Sequence, residues 1–336
     1  MALHEYLAEE IALDCAEGAF SRREAVRRLL LLGLTAPAAA ALLSACGSDD
    51  GDGDDAAPAG STTTVATGPG STVDPSSTPE PTTTTTAAAA SSTVEPSSTV
   101  EPSTTATAVV GTGEEITFPG RRGDLIGVLA AAPQPRGAVL VIHENRGLTA
   151  HIRTIPGRLA ADGYTALAID LLSEEGGTAS LASEGDATAA LGNAPLDRLL
   201  ADLRAGLDEL ERRAPGASLG AIGFCFGGGM TWQLLAAGEP RLRAAVPFYG
   251  PAPEGADFSG SPDAAVLGVY AELDARVNAS QESARSALEA AGLDFELRVF
   301  PGVDHAFFND TGTRYNAEQA TAAYAAMLDW FSTALG

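Results

Sequence analysis

The chain has 336 residues and a formal net charge of −24 at pH 7, and all of its basic residues are arginines. This negative charge argues against nucleic acids and anionic membrane surfaces as partners, because both would repel the protein. Its 45% hydrophobic content supports a folded core. The three cysteines, Cys15, Cys46 and Cys225, are too few and too widely spaced for a disulfide framework or a CxxC metal site.

The first 46 residues have the features of an export signal. Residues 1–20 predict a short amphipathic helix. Its apolar side is expected to contain Leu3, Leu7, Ile11 and Leu13. A basic stretch from Ser21 to Arg28 follows, and then 17 uncharged residues from Leu29 to Ala45. This order of charge, apolar run and small residues is typical of a signal peptide.

Two details narrow the kind of signal. Arg22 and Arg23 resemble a twin-arginine motif, although Ala25 stands where that motif usually has phenylalanine. The sequence Leu43-Ser44-Ala45-Cys46 resembles a lipoprotein signal-peptidase site, which makes Cys46 the predicted lipidated N-terminus of the mature protein. The alternative is an uncleaved anchor helix. Either way the rest of the chain is expected outside the cytoplasmic membrane, with membrane contact only through the anchor.

Residues 47–112 predict a disordered linker. Serine, threonine, proline and alanine dominate this segment, and a unit of the form STVEPS recurs at 71–76 (as STVDPS), 92–97 and 98–103. With almost no large apolar side chains, such a segment cannot offset the entropy lost on ordering. We expect it to tether the globular part of the chain.

Residues 113–336 predict an α/β fold, because strand and helix patterns alternate along them. Continuous apolar runs at 138–143 and 164–169 are typical of strands buried on both faces. Leucines of the segment Leu196–Arg213 recur with helical spacing. Such alternation predicts a mostly parallel, twisted sheet with helices on both faces and ligand sites at the carboxyl ends of its strands.

The stretch around Cys225 predicts a nucleophile. Gly223-Phe224-Cys225-Phe226-Gly227 has the form G-x-nucleophile-x-G between a predicted strand and a predicted helix, which is the context of a nucleophile elbow. The start of a helix favours a thiolate.

A nucleophile of this kind needs a base and an acid that orients it, in the chain order nucleophile, acid, histidine. Of four histidines, only His305 follows the elbow. Asp274 follows the preceding strand and is the preferred acid. Glu272 and Asp263 are the alternatives, although Asp263 precedes its strand.

The loop after the strand 138–143 is expected to supply the rest of the site. The backbone N–H groups of Asn145 and Phe226 are the candidate oxyanion donors. Glu144 extends from the same loop and could hold Cys225 or its proton in the resting state.

Together these residues resemble the dienelactone hydrolase (carboxymethylenebutenolidase) family of α/β-hydrolases. The similar stretches are IHENRGL at 142–148, ALAIDLL at 166–172, IGFCFGGG at 222–229, VPFYG at 246–250 and DHAFFN at 304–309. The resemblance implies an α/β-hydrolase fold and a Cys225, Asp274 and His305 triad. It also implies that Glu144 takes part in forming the thiolate when substrate binds.

The chain departs from the family where the substrate carboxylate is expected to bind. The resemblance places arginines four residues after the histidine and after an early strand, where this chain has Asn309 and Ser173-Glu174. Arg146 or Arg153 could replace them. We therefore take Arg146, Tyr249 and Asn309 as candidate substrate contacts.

These features predict an extracytoplasmic, lipid-anchored hydrolase of small esters or lactones that needs no metal or organic cofactor. The alternatives are a broad carboxylesterase or acyl transferase of the same fold, and an envelope lipoprotein that binds a ligand without turnover.

Overall fold

The computed structural model describes residues 3–16, 18, 20–45 and 113–336. The predicted lipidation site Cys46 and the predicted linker 47–112 lie outside these described residues. Three helices lie before Cys46 in the chain: α1 (Leu3–Ala16), α2 (Arg22–Leu31) and α3 (Ala36–Leu42). The apolar run from Leu29 to Ala45 is therefore divided between two helices, with Gly33 in a left-handed conformation between them.

The remaining elements alternate as the sequence predicts. The strands are β1 (Glu114–Pro119), β2 (Asp124–Ala130), β3 (Gly137–Ile142), β4 (Tyr164–Asp170), β5 (Leu219–Phe224), β6 (Leu242–Phe248), β7 (Ala265–Ala271) and β8 (Phe295–Phe300). The helices are α4 (Ala150–Ala161), α5 (Glu184–Asn193), α6 (Leu196–Arg213), α7 (Phe226–Ala236), α8 (Ala275–Asn278), α9 (Gln281–Ala291) and α10 (Ala317–Ala334). We refer to residues 113–336 as the α/β domain.

The eight strands form one sheet in the order β1-β2-β4-β3-β5-β6-β7-β8. β1 and β2 pair antiparallel with their neighbours, and the strands from β4 to β8 pair in parallel. The prediction of a mostly parallel sheet covered by helices is confirmed. The chain passes from β3 to β4 on one side and later returns to β5 on the other. This reversal of strand order next to β3 is where open α/β sheets bind ligands.

The core lies in the middle of the sheet. All residues of β3, β4 and β5 are buried, which matches their uninterrupted apolar sequences. Helices α4, α6, α7 and α10 pack against these and neighbouring strands. A rigid core of this kind fixes the loops at the carboxyl ends of β3 and β5 to β8.

The N-terminal helices pack on the α/β domain and belong to the same compact unit. α1 contacts α2, α5 and α7, and α2 also contacts α5. Leu7 and Ile11 are buried as expected, whereas Leu13 is half-buried and the side chain of Leu3 lies outside the described residues. Among the described residues, no helix has both the length and the apolar character needed to span a membrane.

Candidate active site

The turn between β5 and α7 holds Cys225 in a strained conformation. Cys225 has φ 57° and ψ −117°, a region that residues with a side chain rarely adopt. Its backbone N–H donates to the carbonyl oxygen of Phe248 at 3.1 Å, which ties the turn to the end of β6. The thiol is thereby placed between a strand and a helix, as the nucleophile motif requires.

Two glycines make this turn possible. A Cβ atom added to Gly223 would lie 2.0 Å from the carbonyl oxygen of Gly227. A Cβ atom added to Gly227 would lie 2.2 Å from the carbonyl oxygen of Ile142. Because both distances are far below van der Waals contact, glycine is required at each position. The absence of a side chain at Gly227 lets the start of α7 approach the end of β3.

His305 and Asp274 form a buried hydrogen-bonded pair at the same edge of the sheet. The Nδ1–H group of His305 donates to Oδ2 of Asp274 at 2.6 Å. Oδ1 of Asp274 accepts from the backbone N–H of Val277 at 3.1 Å, which fixes the carboxylate at the start of α8. Burial opposes ionisation of Asp274, but the charge and hydrogen bond of His305, together with Arg276 and the Val277 N–H, outweigh burial and lower the Asp274 pKa. The remaining ring nitrogen, Nε2, is the one left to exchange a proton.

Of the three candidate acids, Asp274 is the one bonded to His305. Glu272 is exposed, and its carboxylate accepts from the backbone N–H of Gly302 at 2.7 Å. Asp263 precedes β7 and pairs with Arg243 at 2.9 Å. The geometry therefore favours Asp274 as the group that orients the imidazole.

Cys225 and His305 come together over the elbow. The Cys225 sulfur and a ring nitrogen of His305 lie within 4.8 Å of each other. Both residues line one cavity of about 250 Å³. The sulfur shares a hydrogen bond with the hydroxyl of Tyr6 at 3.2 Å. Two side chains at this separation need only a small movement to form a hydrogen bond, as is common for candidate catalytic groups before substrate binds.

His143 fixes the loop that follows β3. Its Nδ1–H donates to the carbonyl oxygen of Glu144 at 2.7 Å, and its Nε2 accepts from the backbone N–H of Leu171 at 3.1 Å. Burial lowers the pKa of His143 and keeps the ring in the neutral form that this pairing requires. The two hydrogen bonds of His143 thus tie the loop carrying Glu144 and Asn145 to Leu171, next to the end of β4.

Glu144 is buried and turned toward Asn309. Nδ2 of Asn309 donates to Oε2 of Glu144 at 2.7 Å, while Oε1 has no hydrogen-bond partner among the described residues. Burial raises the pKa of Glu144, although His151 and Arg146 act in the opposite direction. Glu144 lines the same cavity as Cys225.

The two candidate oxyanion donors lie where the turn and the loop meet. α7 begins at Phe226, so the N–H of Phe226 belongs to the first helical turn, whose N–H groups lack intrahelical acceptors. Asn145 lines the cavity beside Cys225. The approach of α7 to the end of β3 brings these two backbone segments together.

The three candidate substrate contacts occupy different positions. Arg146 lines the cavity and forms ion pairs with Asp14 and Glu184, each at 3.3 Å. Asn309 also lines the cavity. Tyr249 is fully buried, and its ring packs against that of His305 with 5.1 Å between centroids. Tyr249 therefore supports the imidazole from the protein side.

Helix α1 contributes three residues to the site that the sequence reasoning did not single out. Tyr6 bonds to Cys225 as described, and Oε1 of Glu10 lies 3.4 Å from Nε2 of His305. Asp14 forms ion pairs with Arg314 and Arg146. The four-residue spacing of Tyr6, Glu10 and Asp14 places them on one helical stripe, and this polar stripe was the available sequence signal.

Two arginines at the site were also missed. Arg276 follows Asp274 on α8 and pairs with Glu10, while Arg314 pairs with Asp14 and lies 3.8 Å from Glu10. Burial opposes ionisation of Glu10, but the positive charges of His305 and the two arginines outweigh burial and lower its pKa. Two guanidinium groups, those of Arg276 and Arg314, thus hold the carboxylates of α1 in the site. The family pattern did not indicate arginines at these positions.

Among the described residues, Glu10, Cys225 and His305 form the group whose donor atoms are close enough to hold a metal ion. The Glu10 carboxylate is already paired with Arg276, and Arg314 lies beside it. These positive charges disfavour a cation at this point. The donor set is therefore poorly suited to a metal.

A family model for dienelactone hydrolases matches residues 125–335. The chain belongs to the dienelactone hydrolase family. Curated relatives of the chain carry names that refer to carboxymethylenebutenolidase, and the family match and these names support a hydrolase acting on ester or lactone bonds. Because the match begins at Leu125, helices α1 to α3 lie outside the family region.

Several relatives share this region of the dienelactone hydrolase family. An Escherichia coli O157:H7 protein named as a carboxymethylenebutenolidase is 34% identical over 226 residues, covering 62% of this chain and 83% of that protein. A Yersinia pestis protein of the same name is 34% identical over 237 residues, covering 65% of this chain and 87% of its own.

Solved structures show the same α/β-hydrolase fold. A Klebsiella pneumoniae protein named as a dienelactone hydrolase superimposes with a TM-score of 0.58 at 30% identity, covering 66% of this chain and 98% of that chain. The dienelactone hydrolase of Anabaena variabilis gives a TM-score of 0.52 at 20% identity, covering 67% and 100%. The second likeness concerns the fold alone.

Replacing Gly223 or Gly227 with alanine is expected to destabilise the protein by at least about 3 kcal/mol, because the new Cβ atom must displace backbone. Gly229→Ala is the matched control, since its Cβ would meet Pro251 at an ordinary 3.8 Å. Alanine is also favoured over glycine in a helix by about 1 kcal/mol. Urea unfolding of the three variants measures the difference. Wild-type stability of Gly223→Ala would contradict this account of the elbow.

Proposed function

We propose that the protein hydrolyses small esters or lactones with a Cys225–His305–Asp274 triad. The observation that carries the proposal is the position of His305, whose ring is bonded to Asp274 on one side and lies within 4.8 Å of the Cys225 sulfur on the other. Membership in the dienelactone hydrolase family supports the same chemistry.

In the proposed first step, the thiol proton of Cys225 passes to Nε2 of His305 and the sulfur attacks the carbonyl carbon. The resulting oxyanion accepts hydrogen bonds from the N–H groups of Asn145 and Phe226. Asp274 holds the ring with Nδ1–H toward the carboxylate and stabilises the imidazolium. When the tetrahedral intermediate collapses, the carbon–oxygen bond breaks and the leaving alkoxide takes the proton from His305.

In the second step, water attacks the thioester formed on Cys225. His305 now removes a proton from the water as the new carbon–oxygen bond forms. The carbon–sulfur bond then breaks, the carboxylic acid leaves, and the proton returns to the sulfur. A lactone substrate gives a single open-chain product, because its alcohol and acyl groups stay connected.

Glu144 is assigned a positioning role in this proposal. Its buried carboxylate lines the cavity beside Cys225, and one of its oxygens lacks a hydrogen-bond partner among the described residues. A rotation of the side chain away from Asn309 would let it hold the thiol proton of the resting enzyme. Substrate binding would then return the Glu144 carboxylate to Asn309. The thiol proton of Cys225 would be left free to pass to Nε2 of His305.

The hydrolase function is tested by assaying p-nitrophenyl acetate and dienelactone with the full chain and with Cys225→Ala. We expect Cys225→Ala to lower kcat/KM by at least about 10³-fold, because the attacking atom is lost. Ser332→Ala is the control, since this residue is exposed on α10, away from the site. Turnover of esters without dienelactone would indicate a broader carboxylesterase. Turnover that persists in Cys225→Ala would contradict the proposal. No turnover by any form, including the variants Glu10→Gln/Asp14→Asn and Ile11→Glu that displace α1, would favour a binding protein.

The role of Asp274 is tested by Asp274→Asn. The amide can still accept from Val277, so the fold should persist, but the imidazole loses the carboxylate that orients it. We expect kcat to fall by about 10²- to 10⁴-fold with little change in KM. Glu272→Gln, at the competing acid, should stay within about twofold of wild type. A larger loss in Glu272→Gln than in Asp274→Asn would reverse the assignment.

We further propose that the chain is exported and lipidated at Cys46. The support is the sequence alone: Arg22 and Arg23, the apolar run that follows, and Leu43-Ser44-Ala45-Cys46. Growth of a bacterial host with radiolabelled palmitate should label wild type and Cys15→Ala but not Cys46→Ala. Label retained in Cys46→Ala, or absent from wild type, would contradict lipidation at this residue.

A further inference from the structure

We infer that residues 3–45 form an intramolecular inhibitor, in which helix α1 occupies the active site and keeps Cys225 closed to substrate until the segment is displaced or removed. The inference rests on the proposed function, because it assumes that Cys225 and His305 are the reacting groups.

The first argument is that α1 contacts both reacting atoms. The Tyr6 hydroxyl is 3.2 Å from the Cys225 sulfur, which must attack the substrate. Oε1 of Glu10 is 3.4 Å from Nε2 of His305, which must take the thiol proton. A substrate carbonyl would have to occupy the space next to these same two atoms. Substrate and α1 therefore compete for one position.

The second argument is that the docking of α1 is specific. Glu10 pairs with Arg276 and Asp14 pairs with Arg314, and all four side chains are at least 85% buried. The Arg276 guanidinium also lies over the ring of Tyr6, 4.4 Å from its centroid. A buried charge left without its partner is costly, so the polar stripe of α1 fits this site much better than a generic helix would.

The third argument is that the inhibitor has its own packed support. Leu7 and Ile11 of α1 are buried, as are Leu29 and Leu32. These N-terminal helices pack against each other and against α5, where a Cβ at Gly192 would lie 2.3 Å from Leu32. Apolar burial of this extent stabilises the docked segment independently of its ion pairs.

The position of Glu10 favours inhibition over a catalytic contribution from α1. Burial opposes a charge on the imidazole, but the Glu10 carboxylate, the Cys225 sulfur and the Asp274 carboxylate outweigh it and raise the pKa of the ring well above its usual range. Of these neighbours, Glu10 is the one that the triad does not need. Its Oε1 lies 3.4 Å from Nε2, the nitrogen that must exchange a proton with the sulfur and the leaving group, so the Glu10 carboxylate occupies the place that this exchange needs.

The inhibitor lies on the N-terminal side of the predicted processing site. Helices α1 to α3 and the turn that follows end at Ala45, directly before Cys46. A guanidinium nitrogen of Arg22 donates to the carbonyl oxygen of Leu43 at 2.6 Å, which ties α2 to that turn. Cleavage before Cys46 would remove all three helices at once. The enzyme would then remain closed until export and open when its signal is cut.

The test uses the full chain with two ways of displacing α1. Glu10→Gln/Asp14→Asn removes the ion pairs, and Ile11→Glu places a charge on the apolar face while leaving every arginine partner intact. Glu5→Gln/Glu9→Gln removes the same number of charges from parts of α1 that are more exposed. The readouts are the iodoacetamide alkylation rate of Cys225, assigned by peptide mass spectrometry, and kcat/KM for p-nitrophenyl acetate. Urea unfolding reports the integrity of the α/β domain.

We expect both displacing variants to raise the alkylation rate of Cys225 and kcat/KM by at least about tenfold, while the control pair stays within about twofold of wild type. Unchanged alkylation in both displacing variants, with the α/β domain folded, would overturn the inference. So would faster alkylation combined with lower kcat/KM, because α1 would then complete the catalytic site. Faster alkylation without ester hydrolysis in any variant would support the closed state and refute the hydrolase function.

Discussion

The approach of α7 to the end of β3 sets the position of the reacting groups. Gly227 allows this approach because a Cβ atom there would collide with the backbone of Ile142. The turn that results raises Cys225 above the sheet and directs the first N–H groups of α7 toward the loop after β3. The positions of the candidate nucleophile and of the candidate oxyanion donors are therefore consequences of one backbone contact. The parallel strands β7 and β8 then bring Asp274 and His305 to the same edge.

Charge at this edge is concentrated and buried. The imidazole of His305 lies between Asp274 and Glu10, and two arginines neutralise the acids contributed by α1. Such a cluster is stable only when it is complete, because removing one member leaves its partner buried and unpaired.

The N-terminal segment combines two properties that are usually separate. Its basic stretch and apolar run suit an export signal, and its polar stripe fits the active site of the domain it precedes. The apolar run is divided into α2 and α3 by Gly33, and Leu32 packs against Gly192 of α5. Leu29, Leu32 and Leu43 are buried in this arrangement, whereas Leu30 and Leu31 stay exposed. In the proposed scheme the same docking restrains the thiol.

The sequence alone determined the fold and predicted the candidate triad residues, because both follow local rules. Continuous apolar runs predict buried strands, glycines two residues either side of Cys225 predict the elbow, and chain order leaves His305 as the base. Only the tertiary structure decided that α1 covers the site and that Arg276 and Arg314 hold its acids. Docking of α1 depends on the fit between two surfaces that are far apart in the chain. The periodicity of a single segment cannot predict such a fit. The role of Tyr6, Glu10 and Asp14 is visible only in the folded protein, where they contact Cys225, His305, Arg276 and Arg314.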